Sequence, residues 1–338
     1  MTDLRTKYLG LDLKNPLVPS ASPLSRSLDT ARQLEDAGAA ALVMYSLFEE
    51  ELRHEEEGAA RFLIHQEIGF GEADSFLPFH EHAYARGLEQ YLEQVAALKR
   101  SLEIPVIASL NGVTLSGWVE HGKELQQAGA DALELNVYYI AADLHEPASV
   151  IEARYLELLR ELRSHVSVPI TMKLSPQFSA LSNFVMRLEE AGADGVALFN
   201  RFYQPDIDLQ HMRVTPRLNL STSADALIAM RWIAILHGRV QLSLAATGGV
   251  HSAEDALKMV LAGADVTHLC SALLQHGPQR LAEILKDMED WLENSGYDSL
   301  ESVKGMVSQL QAADPVAFER ANYMAVLDSF SAGAGVRV

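Results

Sequence analysis

Residues 134–141, ELNVYYIA, end an apolar run in Asn136 and then present two phenols, Tyr138 and Tyr139, where the chain should leave a core. A phenol with an ordinary pKa near ~10 can act as an acid that protonates a carbon beside a hydride transfer. Stacking over a ligand, or plugging the mouth of a site, is the competing use of these rings. Tyr45 and Tyr203 have the same standing. Lys173, in ITMKLS, is the sharpest single residue. An ammonium among apolar neighbours must face solvent at a rim or find a buried negative partner, because an unpaired buried cation is costly.

Two partners suit Lys173. A flavin ring is one, since a cation near N1 and O2 stabilises the reduced anion; a rim ion pair with Glu134 or another strand-end acid is the other. The sequence AATGGVHSAEDAL supplies an anion site of a familiar kind, with Thr247, Gly248 and Gly249 as one wall and Cys270, Ser271 and Ala272 as its counterpart. Glycines let backbone N–H groups approach a phosphate. The plainer alternative is a tight turn followed by Ser252 as an N-cap with Asp255 at N3. Arg201 follows Asn200 directly in LFNRFYQPDID, where a guanidinium could read an anionic substrate or pair with Asp206 or Asp208. His65, His80, His82 and His145 lack the spacing of a zinc site and no cysteine cluster accompanies them, so no metal is expected.

What positions these residues is a repeat. EDAGAAALVMYS from 35, QQAGADALELNV from 126, EEAGADGVALFN from 189 and VLAGADVTHLCS from 260 each set a glycine between a helical pattern and an apolar strand. Proline announces two further strands, IPVIASLN and VPITMKLS, and LVPSAS and VQLSLAATGG bring the number to eight. The strands are continuous apolar runs, as in a parallel sheet covered by helices. Helical stretches lie near 29–37, 88–101, 118–128, 150–164, 179–191, 223–236, 252–262 and 278–293. Eight alternations predict a (β/α)8 TIM barrel with insertions at 47–87 and 201–222, after strands 2 and 6. The division expected is a barrel over 1–294 and a C-terminal helical extension with a loose tail over 295–338, which covers the barrel or a partner subunit.

Composition narrows the function classes. A chain of 338 residues, 48% hydrophobic, buries a large core without staples, and a single cysteine permits no internal disulfide. The formal charge of −19 disfavours nucleic acid and anionic membranes. No apolar run is long enough for a membrane span, and no secretory leader is visible, so a cytoplasmic location is expected. The acidic run FEEELRHEEE reads as a solvated face.

NPLVPSAS, ELN, MKLSP, ATGGV and CSALLQHGP, in this order between residue 15 and about residue 300, resemble the class 1 dihydroorotate dehydrogenases, FMN-dependent barrels. The resemblance implies that Ser20, Ala21 and Ser22 lie along a flavin ring and that Lys173 meets its pyrimidine edge. It also implies that Asn136 sits beside ring and substrate, that Asn200 clamps the substrate, and that the turns at Gly248–Gly249 and Cys270–Ser271 hold the phosphate. Three positions depart from the family pattern: Tyr139 stands where the base is carried, Met44 where a lysine ends the second strand, and Cys270 where glycine is usual. The implied description is a dihydroorotate dehydrogenase-like subgroup using FMN for hydride transfer between flavin N5 and a small cyclic substrate, anionic or neutral. FMN is expected over FAD because no dinucleotide fingerprint is present. A homodimer and a redox partner protein are the macromolecular partners left open. The alternatives are true dihydroorotate oxidation in pyrimidine biosynthesis with a displaced base, a flavin-free phosphate-binding lyase or isomerase, and a non-catalytic flavoprotein of a redox complex.

Overall fold

The structure is a computed structural model that describes residues 2–48, 83–112, 115–201, 205–215, 218–315 and 319. Eight parallel strands form its central sheet: β1 (Leu17–Pro19), β2 (Leu42–Phe48), β3 (Val106–Asn111), β4 (Ala132–Asn136), β5 (Ile170–Leu174), β6 (Gly195–Leu198), β7 (Ser243–Thr247) and β8 (Val266–Leu269). Their hydrogen-bonded order is β1-β8-β7-β6-β5-β4-β3-β2. The two end strands meet through the Ala40 N–H, which donates to the Leu17 carbonyl at 3.0 Å. This is the nearly closed barrel that the alternation of elements predicts.

Around it run α1 (Leu28–Asp36), α2 (Ala83–Ser101), α3 (Leu115–Gln127), α4 (Ala148–Arg163), α5 (Leu181–Glu190), α6 (Ala226–Leu236), α7 (Ala253–Ala262), a short α8 (Ser271–His276) and α9 (Arg280–Asn294). Of these, α8 has no counterpart among the predicted helices. Among the described residues no helix is long and apolar enough to cross a membrane. Most of the insertion expected at 47–87, together with His65, His80, His82 and Tyr203, lies outside the described residues. So does nearly all of the apolar pattern from 315 onward.

The repeat explains how each helix hands over to its strand. Gly38, Gly129, Gly192 and Gly263 have φ of 105°, 101°, 101° and 119°, the left-handed region that only glycine enters cheaply. The alanine after each closes the helix end, as when Ala130 N–H donates to Leu125 O at 3.1 Å. In three repeats the next residue is aspartate, and it stitches neighbouring strands together. Asp131, Asp194 and Asp265 accept the N–H of Val106, Ile170 and Leu244 at 2.7, 2.8 and 2.7 Å. Each also pairs with a cation, respectively Lys99, Arg163 and Lys304. The A-G-A-D motif therefore satisfies orphan groups at both the helix end and the strand start.

An antiparallel hairpin, Thr6–Tyr8 with Leu11–Leu13, closes the N-terminal end of the barrel. The Leu9 N–H donates to Ser243 Oγ at 2.9 Å, and Tyr8 reaches into the lumen to donate to Thr171 Oγ1 at 3.2 Å. Tyr8, Leu9 and Leu13 join Val18, Val43, Ile107, Ala132, Ala197, Ala245 and Val266 in an inner apolar cluster, separate from the larger one between sheet and helices. After β6, residues 206–208 and 213–215 form a second hairpin that stands exposed. The described part of the C-terminal extension consists mainly of turns laid on the barrel: Leu300 N–H donates to Asp3 O at 2.8 Å and Val307 N–H to Leu261 O at 3.0 Å.

Candidate active site

Every residue singled out for cofactor or substrate follows, or ends, a barrel strand at its C-terminal side: Ser20–Ser22 after β1, Asn136 on β4, Lys173 on β5, Asn200 and Arg201 after β6, Thr247–Gly249 at β7, and Cys270–Ser271 after β8. Side chains of one sheet face recur every second residue. Strand register aligns Asn111, Asn136 and Lys173 across β3, β4 and β5 on the face that lines the lumen. Asn200 joins them, its Nδ2 donating to Asn136 Oδ1 at 2.6 Å. Asn111 is a residue that the sequence reading missed. The signal was there, since SLN ends β3 as ELN ends β4. The result is a floor of carboxamides with one ammonium, able both to donate to and to accept from a small ring carrying amide groups.

One step toward the N-terminal end lies a charged layer. Lys173 Nζ is 3.4 Å from Glu134 Oε1, with side-chain exposures of 8% and 0%. Ser109 Oγ also donates to Glu134 Oε1 at 3.2 Å and lies 2.9 Å from Ser46 Oγ. The Glu134 pairing considered for Lys173 thus exists, but inside the barrel rather than at its rim. Ser46 faces inward because register slips between Val43 and Ser46, a β-bulge. Met44 follows Val43, which faces the lumen, and so by strand alternation packs fully buried in the outer cluster between sheet and helices instead of ending over the lumen. Across the lumen stands His268, whose Nδ1 is 3.9 Å from Glu134 Oε2. Burial, with the Lys173 cation adding and Glu134 opposing, pushes this imidazole down to about 4.

The anion cradle is built from the loops after β6, β7 and β8. Gly249 has φ of 78°, and a Cβ there would stand 2.3 Å from the Ala226 nitrogen. Gly248, at φ 93°, would point a Cβ into open space. Ser221, which the sequence reading passed over, ties the loops together. Its hydroxyl donates to Ser271 Oγ at 2.9 Å and accepts from Gly249 N–H at 3.3 Å, with His251 Nε2 also 3.3 Å away. Because the Ser221 N–H donates to the same Ser271 oxygen at 3.0 Å, that oxygen accepts twice and the hydroxyl hydrogen of Ser271 is left for another acceptor. Ser252 and Asp255 do form the capping box at α7. Cys270 is half-buried, and its burial raises the thiol although the Lys173 cation pulls the other way.

Arg201 pairs with Asp225, 3.9 Å away, rather than Asp208, which is held by His211 and Arg213. Burial raises Asp225, but bonds from Thr222 and the charges of Arg201 and His251 outweigh it and leave the carboxyl lowered. The Arg201 Nη1 atom is buried without a hydrogen-bond partner. Tyr139 sits in the β4–α4 loop, where its hydroxyl donates to Glu146 Oε2 at 2.6 Å and the Arg154 guanidinium, itself paired with Glu146, lies 4.5 Å over its ring. Tyr139 packs on the outer apolar layer, as Val137 does. Tyr138 is half-buried and adjacent. Tyr45 is covered by Arg26 at 4.4 Å, and His145 is exposed. Among the described residues no cluster of three or more His, Cys, Asp or Glu could hold a metal ion.

Comparison with known proteins agrees with this geometry. Residues 83–292 match the dihydroorotate dehydrogenase family model. The catalytic subunit of dihydroorotate dehydrogenase B (NAD(+)) from Thermoplasma acidophilum is 26% identical over 314 residues, covering 90% of this chain and 99% of that protein. The same subunit from Methanosarcina mazei is 28% identical over 312 residues, covering 89% and 94%. The NAD-dependent dihydropyrimidine dehydrogenase subunit PreA of Escherichia coli K12 is 24% identical over 327 residues, covering 90% and 77%.

Proposed function

Because the chain belongs to the dihydroorotate dehydrogenase family of oxidoreductases, we propose that it binds FMN and transfers hydride at a small cyclic substrate bearing amide groups. The observation that carries this reading is the row Asn111, Asn136 and Lys173, with Asn200 bound to Asn136, beside a cradle at Gly248–Gly249 and Ser271. The residues present fit the group. Lys173 offers a buried cation for an electron-rich ring edge, Ser271 an undirected hydroxyl hydrogen, and Gly248 open space next to backbone. When bound, FMN supplies a flavin N5 that accepts or delivers hydride.

The chain's own groups do the rest. Ser20, Ala21 and Ser22 line the ring, and Thr247, Gly248, Gly249, Cys270 and Ser271 hold the phosphate. Asn136, Asn200 and Asn111 orient the substrate through carboxamides that pair with its ring amides. Arg201 stays near the mouth, held by Asp225, to read an anionic substituent. The proton is given by Tyr138 or Tyr139. The Tyr139 hydroxyl donates to Glu146, so as a donor to substrate it would have to exchange that bond. Several relatives are named as subunits of NAD-dependent enzymes, and this sequence has no G-x-G-x-x-G fingerprint. A partner subunit that handles the nicotinamide is the natural electron exchanger.

The absorption spectrum of purified protein tests the reading, followed by release of the chromophore and anaerobic addition of dihydroorotate or dihydrouracil. A yellow protein that releases FMN and is bleached by one of the two is expected. A colourless protein that takes up no added FMN would refute it and favour a phosphate-binding lyase or isomerase.

A further inference from the structure

Three titratable side chains from three strands converge in the lumen: Glu134 of β4, Lys173 of β5 and His268 of β8. One ammonium balances one carboxylate, and the imidazole is neutral. The spare hydrogen-bonding capacity lies between the last two, because Glu134 Oε2 and both ring nitrogens of His268 are buried without a partner. Buried polar atoms are seldom left unspent. Among the described residues the remaining walls carry no compensating charge. Tyr8 of the hairpin meets the imidazole edge-on, with centroids 5.9 Å apart, and Val18 and Thr247 flank His268 in register. Cys270, two residues along, and the Tyr8 phenol are further titratable neighbours, and burial raises both and holds them neutral.

In this arrangement Lys173 is shared. Negative charge placed against the ammonium from the mouth side draws on the cation that now balances Glu134. The carboxylate's field is then uncompensated, and the nearest group able to respond is the imidazole at 3.9 Å. Inside a low-dielectric lumen such a charge is felt strongly. We propose that Glu134 and His268 form a proton-uptake site that neutralises negative charge placed against Lys173, so that two-electron reduction of the bound flavin takes up two protons instead of one. Two electrons and one proton, added at N5, leave the ring with one negative charge at its N1 edge. The second proton comes from solvent and resides on His268, where the imidazolium pairs electrostatically with Glu134 Oε2. The electrons are those of the substrate or, in the test, of an electrode. This inference rests on the flavin reading and extends it to residues beneath the ring.

The test is the pH dependence of the two-electron potential of the FMN-loaded protein. Each proton consumed changes the equilibrium constant tenfold per pH unit, about 30 mV for a two-electron couple. Two protons change it a hundredfold, or about 60 mV. The wild type should follow the steeper line around about pH 6, near the ordinary range of histidine, and His268→Gln the shallower one at full FMN occupancy. As a second readout that survives misfolding of the variant, histidine 15N resonances of the wild type should show one buried imidazole neutral in the oxidised protein and protonated in the reduced protein. A one-proton slope in the wild type, or an imidazole neutral in both states, overturns the inference while leaving FMN binding intact. Failure to bind FMN at all would instead overturn the flavin reading, and the inference with it.

Discussion

Replacing Lys173 by methionine keeps most of the side-chain volume and removes the charge, which isolates the worth of the buried ion pair. At 3.4 Å and an effective dielectric of ~20, the attraction is about 5 kcal/mol, and breaking comparable buried pairs costs about 3–5 kcal/mol. The stranded carboxylate has little to fall back on. Ser109 still donates to Oε1 at 3.2 Å, while Oε2 has no partner and the side chain is fully buried. Lys173→Met should therefore lose about 3–5 kcal/mol. Adding Glu134→Gln should restore at least half of the loss, since an amide needs no counter-charge. Urea unfolding of cofactor-free protein, followed by circular dichroism, measures all three chains, with an unchanged m-value as the check that the unfolded reference is the same. A Lys173→Met protein within about 1 kcal/mol of the wild type, or a double variant no better than the single, would show that the pair is solvated and that Lys173 belongs at the rim.

Gly249→Ala should weaken FMN binding by more than about tenfold, because a left-handed residue costs about 1–2 kcal/mol before the Cβ meets Ala226. Equilibrium titration with FMN measures it, and riboflavin, which lacks the phosphate, should show a smaller change. Of Tyr138→Phe and Tyr139→Phe, the variant that removes the proton donor should slow substrate-driven bleaching by about 10² or more; stopped-flow traces in which neither variant is slowed would take the proton from both phenols. His268 is held at about 4, below its ordinary 6.5, so the unfolded chain binds a proton that the folded protein refuses between those values. Stability should fall by up to about 3 kcal/mol as pH drops through that window. Unfolding midpoints that respond to acid identically in the wild type and His268→Gln would refute this.

Much of the scaffold was legible because it is written in local chemistry. The A-G-A repeats specify helix ends that only glycine can make, and continuous apolar runs specify strands covered on both faces. Lys173 could be seen to need a partner, and Glu134 was a candidate by strand position alone. Its depth was not legible, since burial follows from the closing of eight strands and from Tyr8 arriving beneath them. Met44 turns outward because Val43 before it faces the lumen, and the bulge that follows adds one residue to β2 and brings Ser46 inward, which nothing in LVMYSLF announces. Arg201 had Asp208 near it in sequence, yet it pairs with Asp225, across a hairpin whose fold pairs Asp208 with His211. Ser221 and His251 were invisible because their role depends on three loops meeting.

The hairpin at the base of the barrel also imposes an order in time. Tyr8 bonds to Thr171, Leu9 to Ser243 and Thr6 to the carbonyl of Asp265, so a segment that leaves the ribosome early finds its seat only after the last strands have been made. Until then Tyr8, Leu9 and Leu13 wait with their apolar surface uncovered. Contacts this distant along the chain are slow to form. The lumen beneath Glu134 and His268 is thus sealed late, and a nascent barrel is open to water at the very layer where the finished one buries its charges.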